Sequence, residues 1–289
     1  MTALGRMLII GHPLGHTLSP LMHNTAFQEL GLPYYYEAED VPPEGLAEAV
    51  ERFRAEGVVG LSVTIPHKEA ILPFLDEVDE EVERLGAANT VVLVEGRFVG
   101  TNTDGIGFMR SLKENGGYDP EGRSAVVLGA GGAARAVAAH LALSGADSVV
   151  IANRTLSRAE RLATDLARAV GRQCFEPLPL EATATAEAIR QADCLINATS
   201  VGMAGDRRLP VPAALIEPHL VVCDIVYRPL VTPLLEAALA RGASIINGLG
   251  MLVYQGAEAF RRWTGQEMPI DIVRSTLEAA LELEGPESL

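Results

Sequence analysis

Short runs of consecutive apolar residues recur along this chain, and between them apolar residues return every three or four positions. The first pattern is that of strands covered on both faces, and the second that of helices with one buried stripe. In the second half, Ser124–Leu128, Ser148–Ala152, Asp193–Asn197, Leu220–Ile225 and Ser244–Ile246 read as strands. Helices are expected from the glycine-rich turn after Leu128 to about Ser144, and over 180–191 and 233–241. Another is expected where Leu156, Ala159, Leu162, Ala163, Leu166, Ala169 and Val170 share one face. Strands alternating with helices predict a parallel sheet covered on both sides.

The first hundred residues alternate in the same way. Strands are expected at Met7–Ile10, Tyr34–Ala38 and Leu61–Ile65, with helices over 20–30 and 46–55. A hairpin is expected where 89–94 and 97–99 flank Glu95-Gly96. At the other end, Ile270, Val273, Leu277, Ala280 and Leu281 fall on one helical face. The fold class is therefore α/β with two α/β units, of which only the second carries a nucleotide fingerprint.

With 289 residues the chain is long enough for two domains, and 48% hydrophobic with 21% charged residues is globular composition. No apolar run is long enough to span a membrane, and the N-terminus lacks the pattern of a signal peptide. The formal charge of −15 argues against nucleic acid and anionic membrane surfaces as partners, so any anionic ligand must be held by local donors. Cys174, Cys194 and Cys223 are too few for a disulfide framework and read as small buried hydrophobes of a reducing cytoplasm. His12, His16 and His23 lack the carboxylate companions and spacing of a zinc site, and no metal is expected.

Chemistry enters with Gly129-Ala130-Gly131-Gly132-Ala133-Ala134, placed directly after a buried strand and opening a helix. There the backbone can approach a pyrophosphate at the positive helix end, as in dinucleotide-binding folds. An NAD site usually places an acid at the end of the next strand, to hold the ribose 2′-hydroxyl. This chain has Asn153-Arg154-Thr155, with Arg158 one helical turn on. Guanidinium, hydroxyl and amide donors suit a 2′-phosphate, and cations at a helix start are unfavourable without an anion. NADP is the expected cofactor.

Other polar residues collect at the ends of elements in the first half. Thr17 and Ser19 stand at a helix start, where hydroxyls either cap the helix or hold a carboxylate. Thr64-Ile-Pro-His-Lys68 closes a strand, and Asn102-Thr-Asp104-Gly105 follows the hairpin. Spacing alone does not match Lys68 with Asp104.

Taken together in order, several segments resemble the shikimate/quinate dehydrogenase family almost end to end. They are Gly11-x-Pro13, His16-Thr17-x-Ser19-Pro20, His23-Asn24, Val63-Thr64-x-Pro66-x-Lys68, Ala88-Asn89-Thr90 and Asn102-Thr103-Asp104-Gly105. The glycine turn, Asn153-Arg154-Thr155-x-x-Arg158, Asn197-Ala-Thr-Ser-x-Gly-Met203, Tyr227, Gly248-Leu-Gly-Met-Leu252 and Gln255 complete the set. The resemblance implies a substrate-binding domain over 1–105, a Rossmann-type NADP-binding domain over 106–248, and C-terminal helices over 249–289 returning to the first domain. It implies Lys68 and Asp104 as catalytic residues. Thr17, Ser19 and Tyr227 would hold a substrate carboxylate, and Thr64, Asn89 and Gln255 the ring hydroxyls. Ile225 and Gly248 would approach the nicotinamide.

The implied reaction is reversible NADPH-dependent reduction of 3-dehydroshikimate to shikimate, in a cytoplasmic enzyme of aromatic amino acid biosynthesis. The implied partner is that small molecule, and a homodimer is the candidate assembly. One position departs from the family pattern, which has Ser-x-Ser where this chain has Thr17-x-Ser19; the added methyl narrows the pocket. The alternatives are a quinate/shikimate dehydrogenase with relaxed substrate or cofactor choice, and an NADP-binding sensor without catalysis. A methylene-tetrahydrofolate-type dehydrogenase shares the layout and not these motifs.

Overall fold

The computed structural model describes residues 4–15 and 17–283. His16 of the first motif and the end of the C-terminal segment, 284–289, lie outside the described residues, as do the first three. The chain forms two units: one runs up to Thr103 and includes Gln255–Ala280, and the other comprises Asp104–Tyr254 with the chain from Leu281.

The first unit contains β1 (Gly5–Gly11), α1 (Ser19–Glu29), β2 (Tyr34–Asp40), α2 (Leu46–Ala55), β3 (Gly60–Val63), α3 (His67–Ala70), β4 (Glu77–Val78), α4 (Glu80–Leu85), β5 (Thr90–Val94) and β6 (Arg97–Thr101). Its sheet runs β2-β1-β3-β5-β6-β4. The β2-β1-β3 part is parallel, and the hairpin β5–β6 joins β3 antiparallel. The sheet is buried on both faces, which explains the unbroken apolar run in β1. Leu8 and Ile10 join a cluster with Val50, Phe53, Leu61, Ile71 and Phe98. Met7 and Ile9 alternate to the other face, where Tyr36 lies in register with Met7. On that side His23 and Phe27 of α1 meet Tyr36 and the C-terminal Phe260 and Trp263 in an aromatic cluster. The Trp263 indole N–H donates to the Val91 carbonyl at 2.9 Å, pinning the C-terminal chain onto this sheet.

The second unit contains α5 (Asp104–Gly116), β7 (Ser124–Leu128), α6 (Gly132–Leu143), β8 (Ser148–Asn153), α7 (Leu156–Val170), β9 (Phe175–Pro179), α8 (Thr183–Gln191), β10 (Cys194–Asn197), β11 (Val221–Asp224), α9 (Pro233–Ala240) and β12 (Ser244–Ile246). Two C-terminal helices follow, α10 (Gly248–Thr264), whose chain crosses from the second unit to the first at Tyr254–Gln255, and α11 (Ile270–Leu283). The sheet is wholly parallel in the order β12-β11-β10-β7-β8-β9, a doubly wound arrangement. Helix α7 follows its sequence pattern, burying Ala159, Leu162, Ala163 and Leu166.

Three expectations are corrected. The third strand ends at Val63 and not Ile65, because the chain turns there and leaves Ile65 70% exposed. Helix α8 starts at Thr183 and not near Leu180, since β9 and its turn occupy the preceding residues. Cys174 is half-exposed just before edge strand β9, whereas Cys194 and Cys223 are buried.

Candidate functional site

In the first unit the candidate residues gather where the parallel strands end, the edge at which open α/β sheets bind ligands. Two crossed backbone bonds tie the loops after β1 and β3: Thr64 N donates to Ile10 O and His12 N to Ile65 O, both at 2.9 Å. Lys68 is half-buried in α3, and its carbonyl accepts from Ala88 N at 2.8 Å, so its backbone is fixed to the chain that leads through Asn89 into β5. Its neighbour His67 is buried, and its Nε2 donates to Val41 O at 2.6 Å.

Asn89 is the hub of this end. Thr103 N can only donate, so its 2.8 Å partner on Asn89 is Oδ1, which fixes the amide orientation. Oδ1 also accepts from Thr90 Oγ1 at 2.9 Å, and Nδ2 donates to Thr103 Oγ1 at 3.0 Å and towards Gln255 Oε1 at 3.4 Å. Asn89 and Gln255, 166 positions apart in the chain, are thereby brought together.

The cap position of α1 is Leu18, which makes no side-chain cap bond. Thr17 Oγ1 accepts from the N–H of Ser19, the first residue of the helix, and lies 3.2 Å from Ser19 Oγ. Paired hydroxyls at a helix start are suited to an anionic group.

In the second unit the glycine turn has the geometry a dinucleotide needs. Gly129 has φ +111°, and a Cβ there would also meet the Ala198 carbonyl at 3.1 Å. Gly131 occupies the cap of α6 without a side-chain cap bond, so no side chain of the cap covers the first N–H groups of the helix. Asn153 ends β8, and its amide donates to Thr155 O at 2.9 Å. Arg154 and Arg158 are exposed beside the turn, with Arg158 Nη2 3.4 Å from Ala130 O. No acid stands in the first turn of α7. This donor set fits a phosphate-bearing dinucleotide.

Further along the sheet edge, Gly248 packs against the chain after β11: a Cβ there would lie 2.3 Å from Ile225 O. Tyr227 is half-buried on the same loop. Asp104 is the first residue of α5 and 4% exposed, at the helix end where a carboxylate is favoured. Sequence reasoning missed Thr103, Asn197 and Asp224 as individual anchors. Burial raises the Asp224 carboxyl to about 6, against hydrogen bonds from Thr232, Val226 and Asn197 that favour its charged form. The signal available was an acid ending the apolar run Val221–Cys223. Among the described residues, no group of three or more His, Cys, Asp or Glu side chains is placed to hold a metal ion, and no helix is long and apolar enough to cross a membrane.

Family models cover most of this architecture. One described as the shikimate dehydrogenase substrate binding domain matches residues 9–91, one described as shikimate / quinate 5-dehydrogenase matches 112–225, and one described as the shikimate 5'-dehydrogenase C-terminal domain matches 248–278. A shikimate dehydrogenase (NADP(+)) from Methanopyrus kandleri is 51% identical over 95% of this chain and 94% of its own. The structure of a shikimate 5-dehydrogenase from Thermus thermophilus in complex with NADP(H) and shikimate is 42% identical. It has a TM-score of 0.86 and covers 96% of this chain and 100% of that one. A quinate dehydrogenase from Corynebacterium glutamicum in complex with NAD has a TM-score of 0.88 at 33% identity, covering 96% of this chain and 99% of that one.

Proposed function

Because the chain belongs to the shikimate dehydrogenase family, we propose that it interconverts 3-dehydroshikimate and shikimate with NADP(H). The observation that carries this reading is the 51% identity over 95% of the chain to an enzyme named for that reaction and cofactor. The exposed pair Arg154 and Arg158, in place of an acid after β8, supports NADP over NAD. The second reading, a quinate/shikimate dehydrogenase with relaxed substrate or cofactor choice, is favoured by the threonine at 17 and by the likeness to a quinate dehydrogenase.

The residue roles follow from what each group can do. The cofactor, when bound, supplies or takes the hydride. Gly129, Ala130, Gly131, Gly132 and Ala133 would hold its pyrophosphate through backbone N–H groups, and Asn153, Arg154, Thr155 and Arg158 its 2′-phosphate. Ile225 and Gly248 would border the nicotinamide. Thr17, Ser19 and Tyr227 would hold the substrate carboxylate through hydroxyl donors, and Thr64, Asn89 and Gln255 its ring hydroxyls. Lys68 is the group that gives a proton to the carbonyl oxygen as negative charge develops there, and Asp104 accepts a hydrogen bond from the hydroxyl that results. The division of labour proposed is a substrate unit and an NADP unit, in a cytoplasmic homodimer.

The deciding experiment follows the absorbance of reduced cofactor with shikimate or quinate and NADP or NAD. Shikimate with NADP is expected to give the highest kcat/KM; a higher value for quinate would replace this reading with the second. Lys68→Ala is expected to lower kcat by ~10²–10⁴-fold with a smaller change in KM. A raised KM at unchanged kcat would reduce Lys68 to a binding group.

A further inference from the structure

The carboxylate of Asp224 is 2% exposed and lies outside the roles assigned above. Its Oδ1 accepts from Asn197 Nδ2 at 2.9 Å and from Val226 N at 3.0 Å, and its Oδ2 accepts from Thr232 Oγ1 at 2.6 Å. Each bond fixes a different segment. Asn197 organises the loop after β10: its Oδ1 accepts from Thr199 N and Oγ1 at 3.1 and 2.7 Å, and its Nδ2 also donates to Val201 O at 3.1 Å. That loop supplies the Ala198 carbonyl that abuts Gly129 of the phosphate turn. The Val226 bond closes the bend that presents Ile225 O to Gly248. Thr232 caps α9, accepting from Leu235 N at 3.3 Å.

We propose that Asp224 is a positioning residue for the cofactor, one carboxylate that sets the loop behind the pyrophosphate turn and the bend beside the nicotinamide in register with each other. The inference rests on the reading that this unit holds NADP. An asparagine fits the same place: its oxygen keeps the bonds from Asn197 and Val226, and its NH₂ donates to Thr232 Oγ1 in place of the bond it received. Alanine instead takes the acceptor from the Val226 N–H and from one of the two Asn197 amide hydrogens, leaving Asn197 only its bond to Val201 O, and the loops must move to find a replacement.

NADPH affinity, read by the fluorescence of the bound reduced cofactor, tests this without relying on turnover; kcat, KM and melting are measured alongside. At a temperature well below melting, Asp224→Ala is expected to weaken NADPH binding about tenfold or more and to lower kcat. Asp224→Asn should stay within about threefold of the parent, since it keeps the geometry. Thr232→Val, which removes one donor to Asp224 together with the α9 cap and leaves the other two bonds of the carboxylate, should weaken binding by a smaller factor and provides the reading if the alanine variant does not fold. An alanine or valine variant that melts earlier yet binds NADPH and turns over like the parent overturns the inference, leaving Asp224 a stabilising residue only. So does an asparagine variant as impaired as alanine. Failure of the parent to bind NADPH would overturn the cofactor reading itself, whereas tight binding by the parent with unchanged variants removes only the role of Asp224.

Discussion

Asn89 shows how much a single amide can specify. It is 4% exposed, and each of its polar atoms is committed: Oδ1 to Thr103 N and Thr90 Oγ1, and Nδ2 to Thr103 Oγ1 and Gln255 Oε1. Removing it strands the Thr103 N–H, and an orphaned buried donor costs about 1–3 kcal/mol. Asn89→Ala is therefore expected to lower the melting temperature and to raise KM for shikimate, because the bond from Asn89 to Gln255 is lost and the ring-hydroxyl pocket loosens. Asn89→Asp should be as damaging despite its shape. It turns a donor into a charged acceptor facing Gln255 Oε1, inside a site with little water to solvate it. Thermal melts with KM and kcat for both variants provide the check, and an aspartate variant indistinguishable from the parent would contradict the assigned amide orientation.

At the scale of elements, α7 joins stability and function with opposite signs. Arg158 lies in its first turn and Arg154 just before its cap, where cations oppose the helix dipole by about 0.3–1 kcal/mol each. Arg154→Ala with Arg158→Ala is expected to weaken NADP binding by about tenfold or more, as charge-assisted bonds to the phosphate are lost. NAD binding should hardly change, and the melting temperature should stay level or rise. A parallel loss of NAD affinity would show that the arginines shape the site and do not read the phosphate. This helix was legible in the sequence to its ends, as were β7 and the turn of the hairpin, because each carries its own periodicity or turn chemistry. Strand β9 was not: Pro177 and Pro179 interrupt the pattern, and only its edge position, pairing β8 alone, accommodates them. The two residues of β4 are held by pairing with β6, which no local pattern announces. The short, acid-rich α4 did carry a local signal that sequence reasoning missed, the Asp79 cap on Val82 N, beside long-range bonds from Thr101 and Arg262 to the same carboxylate. The site divides in the same way. The glycine turn and the arginines could be read from residue chemistry, whereas Lys68, Asp104 and Asn89 were picked out only by resemblance, since their spacing in the chain carries no geometric information. Asp224 escaped both routes, because its bonds are made by folding.

For the molecule as a whole, two buried groups pull the acid limb of stability in opposite directions. Burial drives the His23 imidazole from 6.5 to about 3. Between those values the unfolded chain takes up a proton that the folded one refuses, so the contribution of His23 is complete above 6.5 and is lost as pH falls, by about 1.4 kcal/mol per pH unit. Burial raises Asp224 from 3.8 to about 6. Through that window the folded chain holds a proton that the unfolded one has released, so acidification strengthens the fold at a similar rate. The two slopes offset each other between about 6 and 4. Below that range the unfolded chain takes up protons at Asp40, Asp76 and Asp206, whose carboxyls the fold holds below their ordinary value through hydrogen bonds from His12, Arg54 and Arg208, so the help they give is progressively lost. The parent should therefore show a shallow pH dependence of stability from 6 to 4 and a steep loss beneath it. His23→Phe isolates one slope: the ring stacks on Tyr36 at 4.4 Å, and its Nδ1 has no hydrogen-bond partner among the described residues, so phenylalanine keeps the packing and removes the titration. Lowering the pH also relieves repulsion within a chain of formal charge −15, but equally in both proteins. Denaturant unfolding at several pH values is expected to show His23→Phe gaining stability as pH falls from 6 to 4 while the parent stays nearly level. Superimposable profiles would mean that the unfolded chain protonates no more readily at this histidine than the native one does.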